Sequence, residues 1–321
     1  KSLYIFIFTV LKYKTYTLFN ALTKIIYRGD KMTKLIIDTT CDVNSSITDK
    51  YDLEIIPLNI TINDKSYLDG VEIDTETVYK YMRDGIMPKT SQVSYESVTK
   101  AFEKCIANKD DFIYLAFSSK MSGTYNFAKN ILDDYKEKYP DLKMEIIDSK
   151  GGAGGAALIV IQALKMIENN IPFYTIVEQI KLMIENLSYY FTISDLNWLA
   201  KGGRVSKPVG YVGNMLSLKP YLTVENGQII FSKMVRGSKK MIKTLIKDVQ
   251  KGTSKFKNQI IGISHSDDLE TALKIEKLIK ETIDGCKTTI FQIGAVLSTH
   301  LGIGGVGVFF LEEEPDIYYF E

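Results

Sequence analysis

Histidine is almost missing from this chain of 321 residues: there are two, His265 and His300, alongside one tryptophan, three cysteines and four arginines. These shortages exclude several kinds of chemistry. Two histidines and the widely spaced Cys41, Cys105 and Cys286, with no C-x-x-C pair, do not build a His/Cys zinc site, so no metal is expected. An odd, sparse cysteine set argues against a disulfide scaffold and for a reducing compartment, the cytoplasm. The net charge of +1 lacks the basic excess of a general nucleic-acid binder, and no block of like charges occurs. No internal repeat or low-complexity stretch is present. What the chain does have is 45% apolar and 25% charged residues, which suits a packed core, and a length that accommodates two domains.

Residues 1–31 are set apart. They are aromatic, Ile-rich and Lys-laced, with no acidic residue before Asp30. Lys12 and Lys14 interrupt the apolar run after about ten residues, too short for a membrane span, so no stable membrane insertion is expected. A signal peptide would need a small-residue cleavage site that is not evident. Arg28-Gly29-Asp30-Lys31-Met32 back-translates to a purine-rich stretch resembling a ribosome-binding site before a start codon. The segment is therefore read as translated upstream DNA, with the natural start at Met32; an anchor or a signal peptide is the alternative.

From Met32 onward strands and helices alternate. Lys34–Asp38, Leu53–Ile62, Phe112–Phe117 and Lys143–Asp148 read as strands, and Ser94–Ala107 and Thr124–Lys138 as helices. That alternation predicts βαβ units and a parallel sheet. The continuous apolar run F-I-Y-L-A-F fits a strand covered on both faces. Asn63–Gly70 is turn-rich and predicts a small excursion near residues 57–72. Beyond helices over Ala156–Glu168 and Phe173–Leu187 the pattern changes. Ile229–Val235, Gln259–Ser264, Lys287–Ile293, Gly307–Leu311 and Ile317–Phe320 read as strands, with helices over Met241–Gln250 and Leu269–Ile283. The expected architecture is an N-terminal α/β domain over 32–187 with a parallel sheet, followed by an α+β domain over 188–321 with a mostly antiparallel sheet.

Small polar residues cluster where strands end: Asp38–Asp42, Lys89–Ser94, Ser118–Tyr125 and Asp148–Lys150. Carboxyl ends of parallel strands line one edge of a sheet, where ligands bind. Hydroxyls beside helix N-termini suit an anion, because unpaired N–H groups and the helix dipole both favour negative charge. Helix capping alone explains any one such cluster; four at successive strand ends favour a site. In the second half, Arg204 follows paired glycines in L-A-K-G-G-R-V-S, and Arg236 follows a strand. A guanidinium suits carboxylate or phosphate, although a surface ion pair is the plainer alternative. His300 lies in a glycine-rich segment, H-L-G-I-G-G, read as a loop; His265 in I-S-H-S-D-D reads as structural. Gly302-x-Gly304-x-x-Gly307 matches a dinucleotide fingerprint in letters only, since a strand and not a helix is expected after it. Cys41 lacks a basic neighbour in sequence, and Ser122 lacks the G-x-S-x-G frame of a nucleophile elbow.

Taken in order, I-I-D-T-T-C-D, K-T-S-Q-V-S, S-S-K-M-S-G-T-Y, I-I-D-S-K, L-A-K-G-G-R-V-S, L-K-P and H-L-G-I-G resemble the DegV family from Lys34 to the C-terminus. Val93 and Ile303 stand where that family commonly has proline. The resemblance implies a DegV-like fold and a non-catalytic carrier of a palmitate- or oleate-like fatty acid, with no other cofactor. It implies that Thr90, Ser122 and His300 hold the carboxylate, supported by Ser91, Ser118, Ser119, Gly123, Thr124 and Gly302. Arg204 and Arg236 would lie near the mouth, where a fatty acid kinase docks or the phosphate forms. That kinase would phosphorylate the bound carboxylate with ATP, and the acyl phosphate would feed phospholipid synthesis. Two other readings stay open: a lipid transport or sensing module without a kinase, and an independent hydrolase using Ser122 or Cys41.

Overall fold

A computed structural model describes residues 32–205 and 218–320; the reading of 1–31 as an upstream extension lies outside them. Residues from Thr33 onward form one compact unit. In chain order the elements are β1 (Thr33–Asp38), a 3-10 turn (Thr39–Cys41), α1 (Ser45–Thr48), β2 (Leu53–Ile56), β3 (Asn59–Ile62), β4 (Lys65–Leu68), α2 (Thr75–Arg83), β5 (Lys89–Ser91), α3 (Tyr95–Ala107), β6 (Asp111–Ala116), α4 (Thr124–Lys138) and β7 (Met144–Asp148). There follow α5 (Ala153–Glu168), α6 (Phe173–Glu185), β8 (Leu187–Thr192), α7 (Leu196–Gly202), β9 (Leu218–Glu225), β10 (Gln228–Arg236), α8 (Ser238–Gly252), β11 (Ile260–Ser266), α9 (Leu269–Thr282), β12 (Lys287–Gln292), α10 (Ala295–Leu301) and β13 (Gly305–Leu311).

The described residues form three sheets. The first has the order β2-β1-β6-β7 and is parallel throughout. Its central strand β6 is buried along its whole length, as an unbroken apolar run requires when helices cover both faces. The second has the order β10-β9-β8-β13-β11-β12, antiparallel except for the β11–β12 pair. The third is small and antiparallel, β4-β3-β5. Helix α5 is apolar nearly all round and packs between the two large sheets, touching β1 on one side and β11 and β13 on the other. Its glycines permit that closeness: a Cβ on Gly154 would come within 2.6 Å of Ser264 Oγ.

The α/β character, the parallel first sheet and the antiparallel-rich second sheet are as expected. Two of the strands expected from the sequence differ. The run Leu53–Ile62 is not one strand: Pro57, which has no N–H to offer a ladder, separates β2 in the parallel sheet from β3 in the small one. The small sheet is closed by an Asn63-Asp64 turn, both residues at positive φ, and it reaches on to β5, past the expected excursion. The second difference is Ile317–Phe320, which forms no strand. Buried glutamines satisfy its backbone in place of a neighbouring strand. Gln162 Oε1 accepts from Tyr319 N at 2.8 Å, Gln162 Nε2 donates to Tyr319 O at 2.9 Å, and Gln179 Oε1 accepts from Ile317 N at 3.2 Å.

Candidate functional site

A cavity of about 330 Å³ lies between the second sheet and segments that follow strands of the first and small sheets, within the size range of small-molecule sites. One wall comes from the inner face of the second sheet: Tyr189 and Phe191 on β8, Val224 on β9, Ile229 on β10 and Phe309 on β13. The alternation of β-strands puts Tyr189 and Phe191 on one face, and the Tyr189 and Phe309 rings meet edge to face at 5.3 Å. Phe117 and Met121, from the loop after β6, face them, and Val296, Leu297 and Leu301 on α10 contribute further apolar surface.

Several of the polar residues that line the cavity are tied together by direct contacts. Thr90 on β5 and His300 in the last turn of α10 meet through Oγ1 and Nε2 at 2.7 Å. His300 Nδ1 is buried with no partner among the described residues, and Gly202 covers it so closely that a Cβ there would sit 2.5 Å away. Arg204 donates from Nη1 to Gly202 O at 2.5 Å and from Nε to Met121 O at 3.3 Å. Ser122 comes next in the chain, and the backbone of Gly123 lies against Gln92, which directly follows β5 and its Thr90. Thus Thr90, His300, Gly202, Arg204, Ser122 and Gly123 enclose one spot.

Burial, and after it the neighbouring Arg204 charge, push the His300 imidazole down to about 4. The ring is therefore neutral at neutral pH. A neutral ring that donates from Nε2 to Thr90 Oγ1 leaves only a lone pair unpartnered at Nδ1, which costs less than a buried orphan N–H. In that tautomer the Thr90 hydroxyl hydrogen is free to point at a ligand oxygen. Ser122 Oγ accepts from Thr124 N at 3.2 Å and lies 3.0 Å from Thr124 Oγ1, at the first turn of α4. Its hydroxyl thus sits at a helix N-terminus, where negative charge is favoured. Among the described residues along the cavity, Arg204 and His300 are the only ones of cationic type, and the His300 ring is neutral. The arrangement suits an apolar chain ending in an anionic, hydrogen-bond-accepting head.

The sequence-predicted residues divide. Thr90, Ser91, Ser122, Gly123, Arg204 and His300 line the cavity. Ser118 and Ser119 do not: Ser118 Oγ donates to Gly227 O at 2.7 Å, pinning the β9–β10 turn, and Ser119 bonds the Asp148 carboxylate through both N and Oγ. Thr124 is buried beside Ser122, and Gly302 at φ 77 packs under Trp198. Arg236 is exposed at the end of β10, outside the cavity lining. His300 is on a helix and not in a flexible glycine loop; the glycines begin at its C-cap. His265, at the end of β11, accepts from Asp268 N at 3.3 Å. Cys41 is buried, and desolvation pushes its thiol well up, against a nucleophilic thiolate. Gly202 and Gln92 lay inside the quoted motifs, yet nothing in the sequence signalled that they would touch His300 and Gly123.

Residues 32–313 match the model of a family described as "Uncharacterised protein, DegV family". A DegV domain-containing protein of Clostridium perfringens is 33% identical over 290 residues, covering 89% of this chain and 100% of the relative. A protein of Thermotoga maritima named "Fatty acid-binding protein" is 33% identical over 281 residues, 85% of this chain and 96% of that one. Among solved structures, a stearic acid-binding protein from Eubacterium ventriosum superposes with a TM-score of 0.80 at 26% identity, over 87% of this chain and 97% of its own.

Proposed function

The chain belongs to the DegV family, and on that premise we propose that it binds one long-chain fatty acid in the cavity and presents the carboxylate to a partner. The observation that carries this reading is the cavity itself: among its described lining residues, a mostly apolar wall together with the hydroxyls of Thr90 and Ser122, a neutral histidine and Arg204. The Thermotoga maritima and Eubacterium ventriosum relatives, which bind fatty acids by name, support it. Burying a chain of ~16 carbons at ~0.8 kcal/mol per methylene contributes on the order of 10 kcal/mol before association costs. Hydrogen bonds to the charged head add about 1.5–3 kcal/mol each. The tail therefore sets affinity. Thr90 and Ser122, with His300 behind Thr90, orient the carboxylate beside Arg204.

The partner in this proposal is a fatty acid kinase that transfers phosphate from ATP to the carboxylate, making an acyl phosphate for phospholipid synthesis in the cytoplasm. Arg204 then balances charge at the growing phosphate, and exposed Arg236 lies on the docking face. The carrier itself performs no chemistry. Ser122 is bonded to Thr124 and not to a basic side chain, and Cys41 holds its proton, which favours binding over hydrolysis. The reading is tested by incubating the loaded protein with ATP and a candidate kinase. Acyl phosphate, trapped as the hydroxamate, is expected only with both proteins present. Turnover by this chain alone would indicate the hydrolase, and binding without phosphorylation by any kinase would indicate a transport or sensing module.

A further inference from the structure

Helix α10 has seven residues, Ala295–Leu301, and carries His300 in its last turn. Two turns of helix do not hold their own shape in water, so the placement of the imidazole depends on what grips the helix. At its N-terminus no side chain of its own segment caps it. Instead, carboxylates reach it from the other half of the chain. Asp42 Oδ1 accepts from Gly294 N at 2.9 Å, and the Thr39 hydroxyl and the Val296 N–H favour the charged form of the buried Asp69. Tyr79 on α2 donates to Ile293 O at 2.5 Å and accepts from Ser298 Oγ at 3.1 Å. At the far end Ser266 Oγ donates to Gly302 O at 2.7 Å. Each anchor is buried: Asp42 is 8% exposed, Asp69 4%, and Tyr79 and Ser266 not at all.

This is a costly way to fasten a short helix. Burial pushes the Asp69 carboxyl up to about 6 and that of Asp42 well above its ordinary range, with the two acids and Asp38 repelling one another. Asp42 Oδ2 is buried without a partner, and Asp42 itself adopts positive φ. A carboxylate at a helix N-terminus gains from the unpaired N–H groups and the dipole, yet an apolar contact would have fixed the helix with less strain. What an apolar contact does not fix is direction: the hydrogen bond from Gly294 N to Asp42 and those of Tyr79 with Ile293 O and Ser298 Oγ set both the axis and the rotation of α10. Neither carboxylate lines the cavity.

We propose that Asp42 and Asp69 are positioning residues that, by gripping the first turn of α10 from the N-terminal half, hold His300 against Thr90 and so set the strength of head-group recognition. The proposal rests on the fatty-acid reading and adds to it that carboxylate recognition is set from behind the helix.

The test compares oleate with oleyl alcohol, which share a tail and differ in head group, using the fluorescence of Trp198, the one tryptophan, which packs on Gly302 beside α10. Asp42→Ala is expected to lower oleate affinity about tenfold and leave oleyl alcohol within twofold. Asp42→Asn keeps an acceptor for Gly294 N and is expected to restore most of the oleate affinity. Tyr79→Phe and Asp69→Ala are expected to shift the ratio in the same direction as Asp42→Ala, and they carry the test should Asp42→Ala fail to fold. Equal loss for both ligands, or an unchanged ratio in the folded variants, overturns the positioning role while leaving fatty-acid binding intact. A wild-type chain that binds neither ligand overturns the fatty-acid reading, and the proposal with it.

Discussion

The two halves of the chain meet the cavity in different ways. From the N-terminal half come short segments that follow strands or bridge them: Thr90 on the small sheet, and Ser122 and Gly123 in the loop before α4. From the second sheet come side chains along strands, Tyr189, Phe191, Val224, Ile229 and Phe309, laid side by side on one face. A loop after a strand offers a few hydroxyls and free N–H groups in set directions. A sheet face offers area. A ligand with a long apolar body and one small charged head needs both, and the site lies where the two meet. Helix α10, from the second half, crosses that division, adding apolar surface and His300 together, as does Arg204 beside it.

The contrast is broken most strongly at the wall. Val224→Trp fills space that an acyl chain would occupy; displacing about four methylenes at ~0.8 kcal/mol each corresponds to roughly a hundredfold loss of oleate affinity. Oleyl alcohol should lose affinity equally, measured by competition with a fluorescent fatty acid. An unchanged affinity would place the tail elsewhere. At the polar side, Thr90→Val and Ser122→Ala each remove a hydrogen bond to a charged group, so oleate should weaken by roughly tenfold or more while oleyl alcohol does not. A loss shared by both ligands would mean that these hydroxyls only support the loops. Arg236→Ala should leave oleate affinity unchanged, because its side chain lies outside the cavity lining, and should reduce kinase-dependent acyl phosphate. The smallest effect concerns protonation. Followed by NMR, His300 should titrate near pH 4, so oleate affinity should show no inflection near 6.5. A midpoint near 6.5 would contradict the buried, neutral ring. Because its pKa is lowered on folding, the unfolded chain binds more protons between pH 6.5 and 4. This group therefore costs stability as pH falls through that window.

What could be read in advance follows the same division. The parallel sheet was legible because buried parallel strands are continuous apolar runs, and the loops after them because small hydroxyl residues mark strand ends and helix starts. Helix α10 was missed: seven residues between a strand and a glycine stretch give too little periodicity, and H-L-G-I-G-G reads as a loop although the glycines only end the helix. Strands β8 and β9 were missed for a related reason, since polar and aromatic residues alternate there with apolar ones that face the cavity. The grip of Asp42 and Asp69 on α10 spans more than two hundred residues, and no local pattern carries it. Ile317–Phe320 has the composition of a strand and lacks only a neighbour, its place being taken by glutamine side chains on α5 and α6.

Native mass spectrometry of the protein purified from cells, with lipid identification after denaturation, tests the central claim most directly. The account predicts one bound long-chain fatty acid per chain, lost on denaturation and restored by added oleate or palmitate. A protein that carries no fatty acid, and takes up neither when they are supplied, would contradict it.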